Sequence, residues 1–248
     1  MALRAFAEGA LFAEVIGDGH PRVLALHGWG RRGADYRPSL DGIDALAVDL
    51  PGFGASPPPD RAIAAPGYAE LIAPLLDEFA SPPVVVGHSF GGRVAVCLAS
   101  SMPDHVGALV LTGSPLLRLA PGRKTSLGYR ARRSLNRMGL ISDEKMEEIR
   151  RSRGSSDYRA ATGVMREVLV RVINESYEPE LRRLRSRVYL LWGSQDREVP
   201  VAVAEAALLT IRRAGGNAEL EVLPEVGHLV PIEAPGDLRR VVEEALAT

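Results

Sequence analysis

The sequence predicts an α/β protein with a mostly parallel sheet and helices on both faces. Short continuous apolar runs alternate with helical patterns along most of the chain, which is how strands buried on both sides read. Length and composition agree: 248 residues, 46% hydrophobic and 25% charged, fit a globular chain with room for a large core. The third observation is the stretch Val84-Val85-Val86-Gly87-His88-Ser89-Phe90-Gly91-Gly92. A β-branched run meets a glycine-flanked serine and then the helix-like segment 93–101, so a strand must turn sharply into a helix with Ser89 at the apex.

In chain order, residues 3–8 and 10–16 read as two strands of a hairpin turning at Glu8-Gly9. Val23-Leu24-Ala25-Leu26 is a buried strand running into His27-Gly28-Trp29-Gly30. Ala45-Leu46-Ala47-Val48 is the next, running into Asp49-Leu50-Pro51-Gly52-Phe53-Gly54. A helix is expected from Tyr68 to Phe79 despite Pro74, followed by the central strand and then by a strand at Ala108-Leu109-Val110-Leu111. Residues 114–185 carry helical patterns and no buried-strand signal, so they are expected to form a helical lid inserted between core segments 1–113 and 186–248. Ser142-Asp143-Glu144 opens one lid helix, and Arg150, Arg151, Arg153 and Gly154 close it, acid first and base last. Ala161, Val164, Met165, Val168, Leu169 and Val172 share one helical face, read as core packing. After the lid come a strand at 188–192, a helix at 200–214, a strand at 220–223 and an amphipathic helix from Asp237 to Leu246.

Charge and cysteine usage remove several function classes. A net charge of −1 gives no reason to expect a nucleic-acid partner. The single cysteine, Cys97, excludes an internal disulfide and reads as a buried, inert thiol. No run is long enough to span a membrane and no signal-peptide core follows Met1, so the expectation is a cytoplasmic protein. No residue cluster has metal-ligand spacing, so no metal is expected. Nothing in the sequence sets an oligomeric state.

In a sheet of this kind, ligands bind beyond the carboxyl ends of the strands. Ser89, Asp196 and His228 all fall at such ends, in the order nucleophile, acid, base. A serine hydroxyl attacks only when a base takes its proton. An imidazole does this near neutral pH, and a carboxylate on its other nitrogen sets the tautomer and steadies the cation. The oxyanion would be received by the backbone N–H groups of Trp29 and Phe90. Glu198 and Asp49 are the competing carboxylates; Asp49 is expected to hold its own turn. His27 is expected to organise the oxyanion loop, His88 to point away from the site by alternation, and His20 and His105 to lie in loops.

On these motifs, together with Trp192-Gly193-Ser194-Gln195-Asp196 and Gly227-His228, the chain resembles the α/β-hydrolase superfamily over nearly its whole length. The resemblance implies an eight-stranded sheet, a lid after the sixth strand, and a Ser89–Asp196–His228 triad that needs no cofactor. It is most similar to the lidded esterase, lactonase and carbon–carbon-bond hydrolase group. Relatives that remove halide or open epoxides carry an aspartate where this chain has Ser89, which argues against those reactions.

Three functions are compatible with these residues. The first is hydrolysis of a small-molecule carboxylic ester or lactone through an acyl-enzyme. The second is cleavage of a carbon–carbon bond in a dienoic ring-fission product or β-diketone. The third is a receptor-like ligand-binding module with a slow triad. The lid holds 17 Lys+Arg against 9 Asp+Glu, a basic segment over an acidic body. This charge can simply dock the lid, or Arg130 or Arg133 can attract a carboxylate-bearing substrate.

Overall fold

The computed structural model describes residues 2–119, 142 and 156–248. Its centre is an eight-stranded sheet in the order β1-β2-β4-β3-β5-β6-β7-β8. The strands are β1 (Ala2–Phe6), β2 (Leu11–Ile16), β3 (Val23–Leu26), β4 (Ala45–Asp49), β5 (Val84–His88), β6 (Ala108–Thr112), β7 (Arg187–Gly193) and β8 (Ala218–Leu223). β1 pairs antiparallel with β2, and β2 with β4. Every other pairing is parallel, as alternating strands and helices require.

Alternation along each strand divides the core between two faces. Leu24 and Leu26 of β3, Leu109 and Leu111 of β6, and Leu190 and Trp192 of β7 face one apolar cluster. Val23 and Ala25, Ala108 and Val110, and Tyr189 and Leu191 face the other. Helices α2 (Ala65–Ile72), α3 (Phe90–Ser101) and α7 (Val201–Arg213) cover the first face. The short α1 (Arg37–Leu40) and α9 (Pro235–Leu246) cover the second. In α9, Leu238, Val241, Val242 and Ala245 are all buried, the stripe that the sequence places on one side.

Some boundaries differ from the expected ones, each for a local reason. β1 ends at Phe6 because Ala7, Glu8 and Gly9 all take left-handed φ values of 47°, 57° and 89°. The helix expected at 68–79 is α-helical only over 65–72 and continues as a 3-10 segment, Ala73–Glu78. Pro74 has no N–H for an α-helical bond, and Pro66 instead sits in the first turn, where none is needed. α3 begins at Phe90, three residues early, because the turn at Ser89 is a single residue.

Of the expected lid, 120–141 and 143–155 lie outside the described residues, and with them the helix opening at Asp143, Arg130 and Arg133. From 156 onward come α4 (Ser156–Ala160), α5 (Gly163–Val172) and α6 (Glu178–Leu181). Val168, Leu169 and Val172 of α5 are buried in the first core cluster. Among the described residues no strand lies between β6 and β7, and no helix is long and apolar enough to cross a membrane.

Asp49, at the end of β4, ties together the segments that follow β3 and β4. Its Oδ1 accepts the Gly33 N–H at 2.8 Å and its Oδ2 the Ala55 N–H at 2.9 Å. The turn at Gly54, where φ is +56°, leaves no space for a side chain against that carboxylate. Asp49→Ala strands two amide donors and is expected to cost about 3 kcal/mol, read as a lower urea midpoint at unchanged slope. Asp49→Asn, which keeps one acceptor, should fall between the two.

Candidate active site

Ser89 occupies the one-residue turn between β5 and α3, with φ 50° and ψ −110°. Such a conformation costs a non-glycine residue on the order of 1–3 kcal/mol, so its surroundings must enforce it. They do so by backbone contact. The Ser89 N–H donates to the Thr112 carbonyl of β6 at 2.9 Å. Gly91 faces the Leu26 and His27 carbonyls so closely that a Cβ there would overlap them. Gly87 meets the backbone of Gly91 and Gly92 in the same way. The first turn of α3 thus presses on the end of β3, and the Ser89 hydroxyl is held at the sheet's carboxyl edge.

Asp196 follows β7 and His228 follows β8, and the structure brings both to Ser89. His228 Nε2 lies 3.2 Å from Ser89 Oγ. His228 Nδ1 lies 2.8 Å from Asp196 Oδ2. The other Asp196 oxygen accepts the N–H groups of Glu198 at 2.9 Å and Val199 at 2.8 Å. With its side chain fully buried, burial alone would lift the Asp196 carboxyl; the bonds from His228, Val199 and Glu198 outweigh burial and hold it below the usual range. Burial likewise pulls His228 down, but the hydrogen bond and charge of Asp196, with Glu198 and Glu233, leave it above an ordinary histidine. An ionised Asp196 keeps the proton on Nδ1, so the Nε2 lone pair faces the serine hydroxyl.

The loop after β3 is braced from beneath. His27 is buried, donates from Nδ1 to the Gly28 carbonyl at 2.7 Å, and accepts the Leu50 N–H on Nε2 at 2.9 Å. Burial lowers its pKa to about 4, so the ring is neutral and can do both. Trp29 follows in this loop, and Phe90 is the first residue of α3, where an N–H has no partner within the helix. Their rings pack edge-on with centroids 5.5 Å apart, and Phe53 and Tyr68 complete an aromatic wall. Met165 of α5 closes on this wall, with its sulfur 3.8 Å from the Tyr68 hydroxyl.

His88 departs from expectation. It does not simply point away: its ring packs 4.9 Å from that of His228 and bonds through Nδ1 to Thr112 Oγ1 at 3.0 Å. Burial, then the proximity of His228, lowers its pKa to about 3, so it stays neutral. Cys97 is buried and burial raises its thiol pKa, which leaves it unreactive. His20 and His105 are exposed.

Two carboxylates near His228 had no site role in the sequence reading. Glu233, at the end of the short α8 (Val230–Glu233), accepts the Gly227 N–H at 2.7 Å and the Leu229 N–H at 2.9 Å, bracketing His228. Its spacing of five residues from His228 is the one available signal. Glu198, weighed only as a substitute for Asp196, lies with Oε2 3.6 Å from His228 Nε2. Among the described residues no group of three His, Cys, Asp or Glu side chains could hold a metal ion. An open groove of about 740 Å³, lined by Asp60, Arg61, Glu70, Glu167 and Arg171 among others, runs between the 60–70 segment and α5, and its walls include none of the three residues of the hydrogen-bonded chain.

A sequence profile described as the alpha/beta hydrolase family matches residues 23–241. The chain is 30% identical over 255 residues to a 2-hydroxymuconate semialdehyde hydrolase of Pseudomonas putida, covering 93% of this chain and 88% of that protein. It is 29% identical over 252 residues to the dihydrolipoyllysine-residue acetyltransferase component of the acetoin cleaving system of Cupriavidus necator, covering 93% of this chain and 64% of that longer protein. Among solved structures, a serine hydrolase involved in carbazole degradation superposes with a TM-score of 0.71 at 21% identity, covering 99% of this chain and 98% of that one.

The contact at Gly91 sets a stringent test of the Ser89 turn. Gly91→Ala forces α3 away from β3 and is expected to cost more than about 2 kcal/mol. A lower melting temperature would report it.

Proposed function

The chain belongs to the alpha/beta hydrolase family, and on that premise we propose that it is a serine hydrolase of small-molecule carboxylic esters or lactones. Ser89 is the nucleophile, His228 the general base and acid, and Asp196 the residue that orients and steadies His228. The observation that carries this reading is the continuous hydrogen-bonded chain from Asp196 through His228 to a serine held in a left-handed turn.

The chemistry follows from which atoms face each other. His228 Nε2 takes the Ser89 proton as Oγ bonds to the substrate carbonyl carbon. The carbonyl oxygen becomes an oxyanion, and the N–H groups of Trp29 and Phe90 receive it; each such donor is worth about 3 kcal/mol of barrier. The protonated His228 then gives its proton to the leaving alkoxide oxygen as the carbon–oxygen bond breaks, leaving an acyl-Ser89. Water loses a proton to Nε2 and attacks the acyl carbon, and the second collapse returns the Ser89 proton and releases the acid. No step calls on a metal or an organic cofactor.

A second reading keeps the same three residues and cleaves a carbon–carbon bond of a dienoic ring-fission product or a β-diketone. The 30% identity to the Pseudomonas putida 2-hydroxymuconate semialdehyde hydrolase favours it. Loss of a dienol chromophore, measured beside p-nitrophenyl ester hydrolysis, separates the two: faster decay of the dienol by kcat/KM would displace the ester reading.

Ser89→Ala is expected to lower kcat at least about 10⁴-fold with the fold retained. More than a few per cent of residual activity would remove Ser89 from the nucleophile's role. The pH profile offers an independent check. His228 must be neutral to act as base, and its pKa is raised, so kcat/KM should fall on acidification at a higher pH than free imidazole would dictate. Asp196→Asn removes the main raising influence; the acid limb should move to lower pH while kcat drops by about 10³–10⁴.

A further inference from the structure

Glu198 has no part in the steps above, yet its carboxylate lies 3.6 Å from the nitrogen that handles every proton transferred. Its side chain is 71% exposed, so the charge stands at the open side of the site and remains available to a ligand. Its backbone is not free to wander, because the Glu198 N–H is anchored on Asp196 Oδ1 at 2.9 Å. Resting on the hydrolase reading, we propose that Glu198 is a specificity-determining residue that selects substrates by the charge of the leaving group, favouring cationic or neutral alcohols over anionic ones.

The selection acts on the leaving group for a geometric reason. The leaving oxygen must come within hydrogen-bond reach of His228 Nε2 to receive its proton. Glu198 sits beside that same nitrogen, so a charge two to five bonds beyond the leaving oxygen lies within several ångströms of the carboxylate. The acyl portion, by contrast, leaves the carbonyl carbon along a different bond and carries no atom that must approach His228 Nε2, so nothing in the reaction holds its charges beside Glu198. The other charges bearing most on His228 have the same sign: Asp196 on Nδ1, and Glu233 bonded to the amides on either side. His88, the remaining titratable ring packed on His228, is neutral. The 3.6 Å contact also helps to retain the proton on His228, so Glu198 contributes to the position of the acid limb.

Three acetate esters of similar shape provide the test: choline, 3,3-dimethylbutanol and 4-hydroxybutanoate, whose alcohols are cationic, neutral and anionic. The quantity read is the ratio of kcat/KM for the cationic to the anionic ester, because any charge elsewhere on the protein affects wild type and variant alike. Glu198→Gln should lower that ratio about three- to tenfold at low ionic strength, and Glu198→Lys should lower it further. In wild type, about 0.5 M salt should bring the ratio toward that of Glu198→Gln. The acid limb of kcat/KM for the neutral ester should shift to lower pH in Glu198→Gln, which a purely structural role would not produce. A ratio that is the same in wild type and Glu198→Gln overturns the proposal. A wild type inert toward all three esters overturns the ester reading instead. Charge selection is then decided by the rates at which paired cationic and neutral phosphonates inactivate Ser89, a difference in rate that Glu198→Gln leaves unaltered counting against it.

Discussion

The molecule is arranged around a backbone contact: the first turn of α3 resting on the end of β3. Gly91 lies against the carbonyls of Leu26 and His27, and this proximity, with the close approach at Gly87, helps to hold Ser89 at a φ of 50°. The strain is borne by neighbours that are themselves fixed. β3 and β5 pair in register from Val23 with Val84 to Leu26 with Gly87, so the serine turn and the loop after β3 rise at the same level. β6 supplies the acceptor for the Ser89 N–H from Thr112. A distortion in any of these three strands would reach the hydroxyl directly, because no flexible side chain intervenes.

Three histidines near the site show how surroundings decide a proton's fate. His27 and His88 are buried with hydrogen-bonding partners but without a contacting carboxylate, and burial lowers them to about 4 and about 3. His228 suffers the same penalty, yet Asp196 at 2.8 Å reverses the sign. The consequence is a division of labour at neutral pH. Two rings remain neutral and serve as fixed hydrogen-bonding groups, His27 through both nitrogens beneath the loop carrying Trp29 and His88 through Nδ1 behind His228. The third alone is poised to change charge. Were His88 to protonate as readily, a cation would sit 4.9 Å from the His228 ring and oppose its protonation.

Much of this was legible in the amino-acid sequence, for identifiable reasons. Strands buried on both faces leave unbroken apolar runs, so β3, β4, β5, β6 and β7 could be placed to within a residue or two. Strand ends in a parallel sheet share one edge, so Ser89, Asp196 and His228 could be grouped before any coordinate was known. What escaped depends on contacts between distant segments. Alternation tells which face of the sheet His88 takes, but not that the loop after β8 arrives 140 or so residues later to lay His228 against it. Glu233 acts from a four-residue helix, too short to leave any periodic trace. Glu198 was visible only as a neighbour of Asp196, since the bend that turns it toward Nε2 is made by Asp196 accepting its N–H.

The segment 163–184 packs into the same core as the sheet helices. Val168, Leu169, Val172, Tyr177, Leu181 and Leu184 belong to the same apolar cluster as Val94 and Leu98 of α3. The polar tie between them starts on α3, the helix that follows Ser89: Arg93, buried, donates to the Val172 carbonyl at the end of α5 and lies over the ring of Tyr177. Tyr177 in turn bonds Glu175, which accepts the Ala65 N–H at the start of α2. A guanidinium is costly to bury, and burial lowers the pKa of Arg93 accordingly. That cost is offset only while α5, the Tyr177 segment and α3 keep their mutual positions. Met165, which closes the aromatic wall beside Ser89, is carried on the same α5. The aromatic wall and the serine turn are therefore set by one packed unit, and a change that loosens Arg93 would be felt at both.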